Sequence, residues 1–128
     1  MIYVDTSVAL AQLLAEDRVP PAAMWDDDLV ASRLIEYEMW NRLYARGLAA
    51  SHGGDARDLL SRIAMLELHP TVLARALKPF PAPVRTLDSL HLASVEFLRA
   101  QRQPVALATY DARMISAARK LRIPLFKL

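Results

Sequence analysis

The chain has 128 residues, a net charge of +2, 54% hydrophobic and 23% charged side chains, and no cysteine. This composition excludes a disordered chain, a disulfide scaffold and any thiolate metal site, and the length suits one domain spanning 1–128 with a buried core. No apolar run approaches the roughly 18 residues of a membrane span, and Met1–Ser7 lacks the basic segment of a secretory signal, so a cytoplasmic protein is expected.

The predicted elements alternate. Met1–Val4 is a short strand of β-forming residues, and Thr6 or Ser7 can cap a helix reaching about Ala15. Leu29–Ala31 is a second strand, followed by Ser32 as a cap. From Arg33 to about Gly47, the residues Leu34, Tyr37, Trp40, Leu43, Tyr44 and Leu48 recur at helical spacing. A further helix is expected over Asp55–Leu66, a short strand at Leu68-His69, and a helix over Thr71–Leu77. Lys78–Val84 is a proline-broken loop. Thr86 caps a helix over Leu87–Gln101. Val105–Ala108 is a strand, Ala112–Leu121 a helix, and Pro124–Phe126 a last strand. Short apolar strands alternating with helices predict an α/β/α sandwich around a mostly parallel sheet.

Charge is distributed unevenly along this order. Residues 1–40 hold eight acids against two bases, while residues 41–128 hold six acids against fourteen bases, and thirteen of the sixteen bases are Arg. Arg pairs with phosphate and stacks on bases, so this half suits a polyanionic partner; a solvated basic surface is the plainer alternative.

Four acids fall where a parallel sheet places its ligands, outside the carboxyl ends of the strands. Asp5 follows the first strand directly. Asp111 follows the fourth by three residues. Asp88 sits in the first turn of a helix, and Glu38 lies in the first half of the helix after the second strand. Taken singly, Asp111 could cap its helix, Asp88 could complement a helix dipole, and Glu38 could pair with Arg42 at i+4. Asp5 is different, because a carboxylate at the end of a buried strand needs a partner. Clustered carboxylates without thiols suit a hard cation such as Mg²⁺ or Mn²⁺, which supports phosphoryl transfer or hydrolysis. Glu36 and Glu38 point about 200° apart on a helix, so only one can face such a site. His91, one turn after Asp88, either assists the site or is a packed helix residue. Asp26-Asp27-Asp28 reads as a solvated turn.

The segments Met1–Ser7, Ser32–Glu38, Arg85–Ala93 and Ala108–Asp111, taken in order, resemble PIN-domain nucleases, with the closest likeness to the VapC-type toxins of toxin–antitoxin pairs. The resemblance covers the whole chain. It implies a three-layer α/β/α fold and an endoribonuclease using Mg²⁺ or Mn²⁺ on structured RNA such as tRNA or rRNA. It also implies a homodimer and an antitoxin that inserts near the active site. By this likeness Asp5, Glu38, Asp88 and Asp111 carry the metal site, Thr6, Ser7 and Thr109 support it, and Glu38 rather than Glu36 faces it. Met24, Trp25 and Trp40 are candidate surface groups for the dimer. A haloacid-dehalogenase-type phosphatase also begins with a strand ending in Asp, but needs a second Asp where Ser7 stands. A housekeeping RNA-processing nuclease and a non-catalytic binding subunit of the same fold remain open alternatives.

Overall fold

The computed structural model describes residues 1–128. Four strands, β1 (Ile2–Val4), β2 (Leu29–Ser32), β3 (Ala64–Leu66) and β4 (Ala106–Ala108), form one parallel sheet in the order β3-β2-β1-β4. Ile2 stands opposite Leu29 on one side and Ala106 on the other. Six helices complete the fold: α1 (Thr6–Leu14), α2 (Leu34–Ala45), α3 (Ala49–Leu60), α4 (Pro70–Ala76), α5 (Thr86–Ala100) and α6 (Ala112–Lys120). No helix is long and apolar enough to cross a membrane.

The period of two along each strand sorts the core into two halves. Ile2, Val4, Leu29 and Ala31 face one cluster, built with Val8 of α1, Ile35, Met39 and Leu43 of α2, and Ala56 and Leu60 of α3. Tyr3, Val30 and Leu107 face the other, built with Leu92 and Val95 of α5 and Met114, Ala117 and Ala118 of α6. Helices therefore cover both faces of the sheet, as apolar strands buried on two sides require. Full burial of a side chain such as Leu43 contributes about 1.5–3 kcal/mol. All four strands point the same way, so Asp5, Ser32 and Thr109 emerge along one edge.

Several boundaries differ from the sequence expectation. The third strand is Ala64–Leu66, not Leu68-His69, and α3 runs Ala49–Leu60 instead of Asp55–Leu66. The glycine pair does not delay this helix. At Gly53 an added Cβ would stand 3.0 Å from Trp40 Cη2, so the missing side chain lets α3 lie close against α2. His69 is a cap, not a strand residue: its Nδ1 accepts from the Thr71 N–H that opens α4. Asp5, not Thr6 or Ser7, caps α1. An unforeseen 3-10 turn spans Ala22–Asp26. Near the C-terminus only Leu125 makes a bridge, to Leu107, so Pro124–Phe126 is not a full strand. Met24 is buried, and Trp25 and Trp40 pack against the first core cluster, so none of the three is a free apolar surface group. Trp25 is further tied inward by donating Nε1–H to Gln12 Oε1 at 3.2 Å.

Candidate active site

Four elements deliver the four acids to one open cleft at the carboxyl edge of the sheet. It is lined by Asp5, Glu38, Asp88 and Asp111 together with Thr6, Ser7, Asn41, Arg42 and Arg85.

Asp5 is 5% exposed. Its Oδ2 accepts from Ser7 Oγ at 2.7 Å, from Thr109 Oγ1 at 2.9 Å and from the Ser7 N–H at 3.4 Å. Thr109 Oγ1 also accepts from the Asp111 N–H at 3.0 Å, and Ser7 Oγ accepts from the Tyr110 N–H at 3.0 Å. Two hydroxyls therefore stitch the end of β1 to the end of β4. Burial pushes the Asp5 carboxyl above its ordinary range; the charge of His91 and the Ser7 and Thr109 hydrogen bonds only partly oppose this.

Glu38 lies on the second turn of α2. Its Oε1 is 2.5 Å from Nε2 of His91, which is fully buried on α5. His91 Nδ1 is 2.8 Å from the Tyr3 hydroxyl, and that hydroxyl accepts from the Ser32 N–H at 3.0 Å. A carboxylate can only accept, so His91 Nε2 carries the proton that reaches Glu38. Burial opposes charging the imidazole, but the hydrogen bond and charge of Glu38, with Asp5 and Asp88, outweigh it and raise the His91 pKa. His91 is a packed, hydrogen-bonded helix residue, and the group it bonds is a cleft carboxylate. Glu36 pairs with Arg33 at 2.9 Å and lies outside the cleft.

Asp88 and Asp111 combine structural and cleft roles. Asp111 caps α6, its Oδ1 accepting from the N–H groups of Arg113 and Met114 at 2.8 and 3.3 Å. Asp88 Oδ2 accepts from the Arg85 backbone N–H at 3.3 Å at the start of α5. The Arg85 guanidinium then bridges the two, with Nη2 2.9 Å from Asp111 Oδ2 and Nε 3.3 Å from Asp88 Oδ2. Sequence reasoning missed Arg85, although a base three residues before Asp88 is within reach of it across one turn. It also missed Tyr3, whose apolar strand context hid its hydroxyl. Asp27 Oδ1 accepts from the Asp28 N–H at 2.7 Å in an exposed turn, as expected for the acidic run.

The donor set suits a hard divalent cation. Asp5 Oδ1, Glu38 Oε2 and Asp88 Oδ1 carry no hydrogen bond, since the contacts of these residues end on the other oxygen. Thr6, which lines the same cleft, has a buried hydroxyl with no partner. As arranged, no three acidic or histidine side chains gather on a single point. Arg85 supplies the positive charge between Asp88 and Asp111, and it would have to withdraw for an ion to bind there.

Comparison with known proteins adds the lineage. Residues 2–122 match the PIN domain family. The chain is 31% identical to Ribonuclease VapC47 of Mycobacterium tuberculosis, over 94% of this chain and 92% of that one. It is 35% identical to Ribonuclease VapC46 of the same organism, again over 94% and 92%. With Ribonuclease VapC35, also from that organism, it shares 30% identity over 96% and 93%.

Proposed function

The chain belongs to the PIN-domain family, and on that premise we propose that it is a Mg²⁺- or Mn²⁺-dependent endoribonuclease that cuts structured RNA such as tRNA or rRNA. We read it as the toxin of a toxin–antitoxin pair. The observation that carries this reading is the arrival of four carboxylates from four separate elements in one cleft at the sheet edge.

Asp5, Glu38, Asp88 and Asp111 would hold the cation. A bound Mg²⁺ or Mn²⁺ would supply water activation and charge stabilisation at a phosphodiester. The chain itself supplies orientation. Ser7 and Thr109 fix the Asp5 carboxylate, so that Oδ1 is the oxygen left to the cleft. Tyr3 and His91 fix Glu38 from behind. Thr6 contributes its unpartnered hydroxyl. Arg85, once displaced from the carboxylates, remains within reach of a phosphate at the same place.

The same reading has the 128 residues acting as one domain in the cytoplasm, as a homodimer, with an antitoxin segment seated near the cleft. Tyr37, Tyr44 and Leu77 are the most exposed of the large apolar side chains available to a partner. Incubation with total tRNA and rRNA, followed by mapping of the new ends, tests the activity. Discrete cuts in one RNA support it, and intact RNA at high enzyme concentration with metal sinks it. A small upstream gene for a DNA-binding protein separates the toxin from a housekeeping nuclease. Light scattering tests the dimer, and a monomer at micromolar concentration counts against it.

A further inference from the structure

The carboxylate cleft does not end at Ser7 and Arg42. A second depression continues from it, sharing Ser7, Leu10 and Arg42 and adding Glu16, Arg18, Arg46 and Tyr110. Three guanidiniums therefore line a surface that opens onto the carboxylates.

Their pairing is incomplete. Sequence spacing offers Arg42 to Glu38 at i+4, but Glu38 is held by His91, and Arg42 makes no ion pair. Arg46 has only Glu16, at 3.9 Å, with both side chains nearly half exposed, a pairing worth little. Arg18 has no carboxylate; its guanidinium lies over the Tyr110 ring, 4.6 Å from the centroid. The spacing is regular as well. Arg42 follows Glu38 by one turn of α2 and Arg46, which caps the C-terminal end of that helix, by a second, about 6 and 12 Å along the helix axis. The Tyr110 N–H is bound to Ser7 Oγ, which ties this wall of the depression to the group that orients Asp5.

We propose that this second depression is a track for single-stranded RNA, in which Arg42 and Arg46 take the phosphates on one side of the bond being cut and Arg18 with Tyr110 offers a stacking surface. The inference rests on the nuclease reading above. Unpaired guanidiniums match phosphate oxygens bidentately, and a positive groove with an aromatic wall is the usual way to hold a single strand. The aromatic wall beside the guanidiniums favours RNA, whose phosphates and bases would use both, over an acidic protein segment, which would use only the charge.

The test uses full-length Asp5→Asn protein in chelator, expected to leave RNA intact, and a fluorescein-labelled single-stranded RNA oligonucleotide followed by anisotropy across a range of salt. Adding Arg42→Ala and Arg46→Ala together should weaken binding at least tenfold. It should also flatten the log–log salt dependence by about 0.7 for each phosphate that is no longer neutralised. Arg42→Lys with Arg46→Lys should restore most of the salt slope. Arg102→Ala, away from both depressions, should leave affinity and slope as they were. Thermal melts confirm that each variant is folded. An unchanged salt slope in the double alanine variant overturns the track, as does a parent background that does not bind the oligonucleotide in low salt. Equal affinity for a duplex of the same length overturns its single-strand character. If the unmutated protein cuts RNA with metal while the alanine variants bind normally, the track falls and the nuclease reading stands. If the arginines bind RNA but the unmutated protein cuts none, the nuclease reading falls and the track stands.

Discussion

His91 Nε2 lies 2.5 Å from Glu38 Oε1 and joins the core to the cleft. Behind it the chain of hydrogen bonds runs through Tyr3 to the backbone of Ser32 at the end of β2. A glutamate on an exposed helix face would sample many rotamers. This one is held by a ring that is itself fully buried, so its second oxygen is presented to the cleft in a fixed position.

Glu38→Gln should lower RNA cleavage by at least about a hundredfold, because it removes a charge from the site and weakens the hydrogen bond with His91. Glu36→Gln should leave cleavage nearly intact and change stability by less than about 1 kcal/mol, since its pair with Arg33 is solvent-exposed. Side-by-side turnover measurements check this. The reverse ranking would mean that the other face of α2 carries the chemistry.

Asp5→Asn should separate catalysis from folding. The Asp5 carboxyl titrates above its ordinary value of 3.8, chiefly because it is buried. A raised folded pKa means a contribution that is fully present below the unfolded value and lost as pH rises through the folded one, so near neutral pH the ionised group costs stability. Metal-free Asp5→Asn should then be as stable as the parent or more so, while inactive. With metal at a hundredfold excess over Kd, the parent should gain about 2.7 kcal/mol and the variant less. Melts in chelator and in Mn²⁺ provide the comparison. Equal destabilisation of the variant in both buffers, with cleavage retained, would assign Asp5 to the fold alone.

Arg85→Gln should tighten divalent-metal binding several-fold, because the guanidinium bridging Asp88 and Asp111 competes for the same oxygens. Turnover should fall at the same time, as the variant lacks a cation to meet phosphate. Calorimetric titration with Mn²⁺ measures the first effect and cleavage rates the second. Weaker metal binding in the variant would show that Arg85 organises the carboxylates instead of competing for them.

Gly53→Ala and Gly54→Ala should move stability in opposite directions. Both lie within α3, where Ala gains about 0.5–1 kcal/mol over Gly. Gly54 faces open space and should realise that gain. At Gly53 the new methyl meets Trp40 at 3.0 Å, and overpacking costs about 1–3 kcal/mol. Denaturant melts rank the two, and a stabilised Gly53→Ala would show that the Trp40 ring yields freely.

Much of this was legible in the residues. The alternation of short apolar strands and helices pointed to the sandwich, because strands buried on both faces must be apolar throughout, and Asp5 stood out as an acid closing such a strand. Asp88 and Asp111 were ambiguous for a physical reason: each works as a helix-start acid and as a cleft acid at once, using different oxygens for Asp111. What stayed hidden depended on residues far apart in the chain. Ala64–Leu66 reads as the end of a helix until Val30–Ser32 pairs with it. Gly53 reads as a breaker until Trp40 packs against it. The role of Tyr3 requires His91, 88 positions away.

Metal-dependent cleavage is tested most directly by incubating RNA with the unmutated protein in Mg²⁺ or Mn²⁺ and in excess chelator, with Asp5→Asn alongside. Cutting is predicted with metal, none in chelator, recovery when metal is restored, and at least about a hundredfold loss in the variant. Undiminished cleavage in chelator, or by Asp5→Asn, would contradict a carboxylate-held metal as the source of the activity.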